Sequence, residues 1–524
     1  MKDIKKCRYN YMEIGLLLML IVQFCLIVFC NLNLIDNNLD CDNAKLFRHI
    51  MEIWEQKTLF LPDWSYTTTL ELDCGSLFAL PFYAITGNIY VSFGLSNLIL
   101  IVILAITVFY IFRGKEKLYP LLYLNLIFIP YRLGMLDYFN MMLFAGTQYI
   151  VKVMIPLVLI GIICNIEQQQ KRQLRISKFT WIAICVYVFL LFVTCVSSSI
   201  YVVACGVAPI CMAYAVYKFL KYEKVPWSLV VIFVISGICL IAGNYINASV
   251  MGGTRGNGMV FTSIHEMLGN MAGCFFGMFE LFGATTTSFE LPIMSYNGVA
   301  IVIKICMVFL MTICGVINII KCIKGKCDLR TILLLFVFVW NYFVLSVSNA
   351  RAGSSTYEFR YHLIGMIPLV GVMIITLIDW VKTLNRAQQR IVYLLGYAVL
   401  VVTIMLSYKE IFESGEKNDE LKELTAYCSE LDLDYIYMYN GSNDSDICRV
   451  LDADGAVYMH LGSNGKTWIY DYYNYYVYAS PQTENSIVVV NDAEADFGDT
   501  FNIQQYILQK FDTVAGRSLY YFVE

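Results

Sequence analysis

Long apolar stretches broken by short polar ones dominate the chain. Eleven of them, at about 12–34, 89–112, 118–135, 142–164, 179–197, 199–219, 228–246, 298–320, 331–349, 362–381 and 391–408, come near the ~20 residues that a bilayer-crossing helix requires. The pattern changes in the first long gap, 35–88. Within Asp42–Glu55 the apolar Leu46, Phe47, Ile50, Met51, Ile53 and Trp54 recur at helical spacing, with Lys45, Arg48, Glu52 and Glu55 on the other face. This predicts a helix lying in the membrane interface, with Trp54 and Trp64 at headgroup depth. The apolar run 75–87 contains Pro81 and is short, which predicts a second interfacial or re-entrant piece. Another long gap, 247–297, mixes several glycines with a helix-like stretch; loops of that length inside compact proteins are usually functional. From about Tyr408 the pattern is that of a small α/β domain: a helix at 416–431, strands at 435–439 and 486–490, a helix at 503–511 and a strand at 519–523. The expected fold class is therefore a polytopic α-helical membrane protein over 1–408, followed by an α/β domain over 409–524.

Composition sharpens this picture. Hydrophobic residues make up 58% of the 524 and charged ones 15%, with a mean hydropathy of +0.62; soluble domains carry about 25% charge. The first apolar run is too long for a signal-peptide core and lacks a small-residue cleavage site, so it should remain as a membrane helix. A net charge of −4 conceals basic clusters at Lys2–Arg8, Arg113–Lys117, Lys171–Lys178, Lys218–Lys224, Lys321–Arg330 and Lys382–Arg390, at the ends of alternate spans. Placing all of them in the cytoplasm puts the N-terminus inside and the C-terminal domain outside the plasma membrane. The bilayer is an expected partner and nucleic acid is not. Of 18 cysteines most fall within spans, where Cys behaves as a small apolar residue. Cys41, Cys74, Cys428 and Cys448 lie on the outer side, and the pairs Cys41–Cys74 and Cys428–Cys448 are expected as disulfides; the first would stabilise its loop by about 3–4 kcal/mol.

Candidate chemistry gathers at the ends of the spans. Asp40, Asp42 and Asp73 sit where the chain meets the outer face, and a carboxylate there is able to deprotonate an acceptor hydroxyl. Asp42 is equally suited to be the N-cap of the interfacial helix, and the two roles are compatible. The Asp40–Asp42 spacing admits a divalent metal, though short matches of this kind arise by chance. Lys152, Arg255, Arg351 and Arg360 are cations near membrane depth, where charge costs roughly 2.5–3.5 kcal/mol at a helix centre. A phosphate of a lipid-linked substrate would repay that cost; headgroup contact or pairing with Glu358 is the plainer alternative. His265 stands beside Glu266 in the third loop. No Cys/His metal spacing, P-loop, nucleophile elbow or dinucleotide fingerprint occurs in a suitable context.

The layout resembles the GT-C superfamily of integral membrane glycosyltransferases, which includes protein O-mannosyltransferases, aminoarabinose transferases and bacterial envelope sugar transferases. The matching stretches are LDCDNAKLFRHIMEIW after the first span, YRLGMLDYFN in the second loop and YEFRYHLIGMIP before a late span. The resemblance implies a sugar moved from a polyprenyl-phosphate donor to an envelope polymer, lipid or protein. It implies Asp42, or failing that Asp40, as general base, with Asp73 standing in for a second carboxylate that the family often has where this chain has Asn43. Arg360 and Tyr361, with Lys152, Arg255 or Arg351, would hold the donor phosphate; Asp137, Gln148, Glu358 and His265 would line the sugar pocket. The alternative is a non-enzymatic transporter or flippase for lipid-linked saccharides, which predicts ionisable residues deep within spans.

Overall fold

The computed structural model describes residues 11–62, 64, 66, 69–131, 138–144, 149–197, 200–251, 260–285, 291–349, 359–413, 418–469, 479–493 and 497–523. Its helices, in order, are α1 (Tyr11–Asn33), α2 (Cys41–Gln56), α3 (Leu77–Thr86), α4 (Ile89–Ile111), α5 (Leu118–Ile127), α6 (Tyr138–Met142), α7 (Ile150–Lys171), α8 (Lys178–Val196), α9 (Ile200–Leu220), α10 (Trp227–Met251), α11 (Ile264–Leu281), α12 (Tyr296–Ile323), α13 (Leu329–Val347), α14 (Leu363–Val381) and α15 (Arg386–Glu413). Among the described residues ten of these are long and apolar enough to cross a membrane, namely all but α2, α3, α5, α6 and α11. The protein is thus a multi-pass membrane protein. The third expected span, 118–135, is a correction: its helix is only 10 residues long. Yet the chain does return there, because the Asn165 amide donates to the Tyr110 carbonyl at 3.1 Å, which sets the C-terminal ends of α4 and α7 side by side.

The chain divides into two compact units: Met1–Phe29, Thr68–Cys74 and Asn97–Glu413 form the first; Cys30–Thr67, Gly75–Ser96 and Ser414–Glu524 form the second. In the first unit the basic clusters are stitched together. Lys115 pairs with Asp328 at 3.3 Å and Lys382 with Glu116 at 3.0 Å, while Arg330 donates to the Arg113 carbonyl at 3.2 Å. These ends of α4, α12, α13 and α14 therefore share one face, as the charge pattern predicts. Close packing explains small residues within the spans. A side chain at Gly365 would meet Asn341 Oδ1 at 2.7 Å, so glycine there lets α13 and α14 approach. The Trp340 indole donates at 2.9 Å to the Ala204 carbonyl, in the π-helical turn Val203–Val207 that interrupts α9.

In the second unit the first-loop segment packs with the C-terminal residues. Helices α16 (Asp419–Ser429) and α17 (Ser442–Leu451) accompany a seven-stranded sheet of β1 (Tyr435–Tyr439), β2 (Val457–Leu461), β3 (Thr467–Trp468), β4 (Ser486–Asn491), β5 (Thr500–Ile503), β6 (Tyr506–Val514) and β7 (Arg517–Val523), in the order β3-β2-β1-β4-β7-β6-β5. Strand β1 is parallel to both β2 and β4, and the other pairings are antiparallel. Tyr437, Val488, Leu508 and Tyr520 are buried in its core. The helix expected at 503–511 is instead the β5–β6 hairpin. Its two-residue turn places Gln504 at φ 56° without the Asn-Gly or Gly that usually marks such a turn.

Helix α2 does not present the polar face an interfacial helix needs. Lys45 and Glu52 on that face are buried, as is His49, and α17 packs against α2. Trp64 is 1% exposed and its ring stacks on His49 at 5.0 Å, while Trp54 is 41% exposed with the Lys57 ammonium 3.3 Å from its ring centre. Lys422 at the start of α16 pairs with Asp36 at 2.7 Å, and the Asn418 amide donates to the Asp36 and Leu39 carbonyls at 2.9 Å. Cys41, Cys74, Cys428 and Cys448 all carry free thiols, so neither expected disulfide is formed. Burial pushes the Cys41 thiol up to about 12, with Asp42, Asp40 and Asp446 adding to the effect.

Candidate active site

Asp73 lies in a single π-helical turn, Leu72–Ser76, a local geometry that recurs at functional sites. The segment is pinned to the end of α8: the Leu70 amide donates to the Ser197 carbonyl at 3.2 Å and the Asp73 amide to Ser197 Oγ at 3.1 Å. Asp73 is fully buried, and Lys152, in the first turn of α7, reaches it at 3.7 Å. A lysine there works against the positive end of the helix dipole, typically by 0.3–1 kcal/mol. Local helix stability does not account for its position.

Beyond its ion pair with Asp73, Lys152 has soft surroundings. Its Nζ lies 3.7 Å from Cys74 Sγ and 4.7 Å from the Tyr149 ring centre. Among the described residues no oxygen accepts a hydrogen bond from this buried ammonium, which has three donors. Tyr149, Tyr201 and Tyr361 form an aromatic wall with ring centres 5.3–6.4 Å apart. Arg360 lies over Tyr361 at 5.5 Å and acts electrostatically on Tyr149 and Lys152. Tyr361 is held from behind, because its carbonyl accepts from the Asn341 amide at 3.2 Å. Lys152 is 19 residues before Lys171 along α7, a rise of about 28 Å, so this group stands at the end of α7 away from the basic face.

In the second unit Asp40, not Asp42, is the N-cap of α2. Its two carboxylate oxygens accept from the Asn43 backbone N–H at 2.8 Å and the Asn43 side-chain amide at 3.2 Å. Asp42, one residue inside the helix and half-buried, takes no hydrogen bond or ion pair with another side chain among the described residues. The described residues also contain no group of three or more His, Cys, Asp or Glu side chains placed to hold a metal.

With this geometry in hand, two solved structures from Cupriavidus metallidurans are similar over nearly their whole length. ArnT in the apo state aligns with a TM-score of 0.51 at 10% identity, covering 97% of this chain and 98% of that one. ArnT bound to undecaprenyl phosphate aligns at 0.49, with the same identity and coverage. The chain shares the fold of that apo ArnT structure. No family model matches the sequence, and no curated protein matches it.

Of the residues singled out in the sequence, the structure brings together Asp73, Lys152, Arg360 and Tyr361. Asp40 and Asp42 belong to the second unit. His265 is exposed in the first turn of α11, where Ser263 and Glu266 form a capping box; Glu266 thus has a structural role. Arg255, Arg351, Glu358, Asp137 and Gln148 lie outside the described residues. Sequence reasoning missed Tyr201, Ser197 and Cys74 as members of the group. Tyr201 stands at the start of an otherwise apolar span, a weak signal that was available. An apolar groove of about 470 Å³ lies elsewhere in the first unit, bounded by α1, α5, α12, α14 and α15, with Lys304 the one charged side chain in its described wall.

Proposed function

We propose that the protein is a glycosyltransferase that moves a sugar from a polyprenyl-phosphate donor to an envelope polymer, lipid or protein at the outer face of the plasma membrane. One observation carries this reading: Lys152 is buried at the end of α7 without an oxygen acceptor among the described residues, and Arg360 stands near it. Two cations above an apolar body fit a lipid-borne phosphate, to which Arg offers two parallel donors. In the transfer the acceptor oxygen attacks the anomeric carbon, its proton passes to a carboxylate base, and the bond from that carbon to the phosphate oxygen breaks. The polyprenyl phosphate leaves with the bonding pair, its growing charge held by Lys152 and Arg360. Asp73 positions Lys152. Inversion at the anomeric carbon is implied by the resemblance to GT-C enzymes.

The test is sugar transfer by the full chain in lipid nanodiscs, using a radiolabelled polyprenyl-phosphate sugar. Asp42→Asn is expected to lower transfer at least a hundredfold with the fold retained; undiminished transfer in both Asp42→Asn and Asp40→Asn would remove the base from the first-loop acids. A flippase has one observation in its favour, the span-buried Lys304, which pairs with Glu410 at 3.3 Å. That pair sits nine residues into α12 and four from the end of α15, near the helix ends rather than midway along a path. Lipid-linked sugar crossing liposome walls, without transfer to any acceptor, would favour the flippase.

A further inference from the structure

The sheet of the second unit has a topological switch point that the transferase reading does not use. From β1 the chain runs through α17 to β2 on one side, whereas from β4 it leaves for β5–β7 on the other. Open α/β sheets bind ligands where such connections diverge, outside the carboxyl ends of the parallel strands. There the structure has a mostly polar cavity of about 200 Å³, lined by Tyr439, Asn440, Asn443, Asp444, Asn491 and Arg517 among others.

The wall is built rather than incidental. Arg517 is 6% exposed and donates to Asp444 at 3.0 Å and Glu420 at 3.1 Å. Among the described residues its Nε is buried without a hydrogen-bond partner, a state that usually costs free energy and calls for an explanation. Asn440 and Asn443 are solvent-exposed at its rim, and each side-chain amide offers both donors and an acceptor. Asn440 sits at φ 51°, which turns the loop over the cavity.

Charge narrows the ligand class. One guanidinium faces two carboxylates, and Asp444 already answers the anion preference of the α17 N-terminus, so a phosphate would meet an excess of negative charge. A metal cation would meet a buried guanidinium. The remaining chemistry is neutral and rich in hydroxyls. The volume is below the ~300–1,000 Å³ of drug-sized pockets and suits a single ring.

We infer that the cleft at the ends of β1 and β4, between the Asn440–Asp444 loop and Arg517, binds one neutral monosaccharide unit. This holds whether or not the first unit transfers sugar. The test is saturation-transfer NMR on the full chain in detergent with glucose, galactose, mannose, rhamnose and N-acetylglucosamine in turn. At least one is expected to receive saturation, and Asn443→Ala is expected to reduce that at least fivefold with an unchanged melting midpoint. Asn440→Gly provides a second variant, because glycine tolerates the positive φ. Glucose 6-phosphate and calcium chloride are expected not to compete, and the Asp73→Asn/Lys152→Gln double variant is expected to keep the signal. No saturation from any of the five sugars, a signal that survives both asparagine variants, one lost in the double variant, or displacement by glucose 6-phosphate or calcium would each overturn the inference.

Discussion

The two ends of α7 each bury a lysine–carboxylate pair beside a tyrosine, and they are built differently. Near the basic face, Lys218 meets Glu167 at 2.8 Å and Glu223 at 2.9 Å, and the Tyr214 hydroxyl donates to Glu167. Every strong donor there has a close oxygen. At the opposite end Lys152 stands 3.7 Å from Asp73 and otherwise faces sulfur and an aromatic ring. A close, saturated pair fastens helices; a distant one leaves donors for a ligand. The two pairs are equally buried and differ in distance, and the proposed function assigns them different purposes.

Replacing each pair by neutral residues tests that difference most severely. Asp73→Asn/Lys152→Gln is expected to fold and to lose transfer by about 10²–10³-fold, the usual effect of removing one charge-stabilising donor. Glu167→Gln/Lys218→Met is expected to keep transfer within about twofold, since exchanging a whole buried pair is often near neutral for stability. Equal losses of transfer would erase the distinction. Next in size, Lys218→Met alone leaves Glu167 buried and unpaired, with an expected cost of about 3–5 kcal/mol, read as a lower melting midpoint in detergent. Tyr214→Phe removes one hydrogen bond to the same carboxylate, at about 1–3 kcal/mol. A control away from α7 comes from His49: burial pushes its imidazole down to about 3, with Lys45 adding to the effect. The stability it contributes is complete above its unfolded pKa near 6.5 and falls as pH drops from there towards 3, by up to ~1.4 kcal/mol per pH unit. His49→Gln should flatten that slope in acid melting of the full chain while leaving transfer at pH 7 intact.

The apolar runs made most of the spans legible, because length and hydropathy are local properties. They misjudged 118–135, where tertiary packing shelters a helix too short to stand alone. The stretch 503–511 reads as a helix in the sequence because no turn residue marks the hairpin at Gln504. The amphipathic pattern of α2 correctly marked a helix; its burial depends on α17, nearly 400 residues later, and no periodicity reports that. In the candidate site Asp73, Lys152, Arg360 and Tyr361 stood out as polar residues beside apolar spans. Cys74 and Tyr201 did not, since each looks like ordinary span filling until it is seen against Lys152 or Tyr149. The cap is Asp40, two residues before the expected Asp42, a shift within the limits of boundary reading.

The short α5 has a consequence for biogenesis. Ten residues of helix cover about 15 Å, half the hydrocarbon thickness, so α5 leaves the ribosome without the length to settle in lipid unaided. The Tyr123 hydroxyl anchors it by donating to the Ile367 carbonyl at 2.6 Å, 244 residues further along the chain. At ordinary synthesis rates of ~5–20 residues per second that partner arrives roughly 12–50 s later. Until then α5 lacks that anchor.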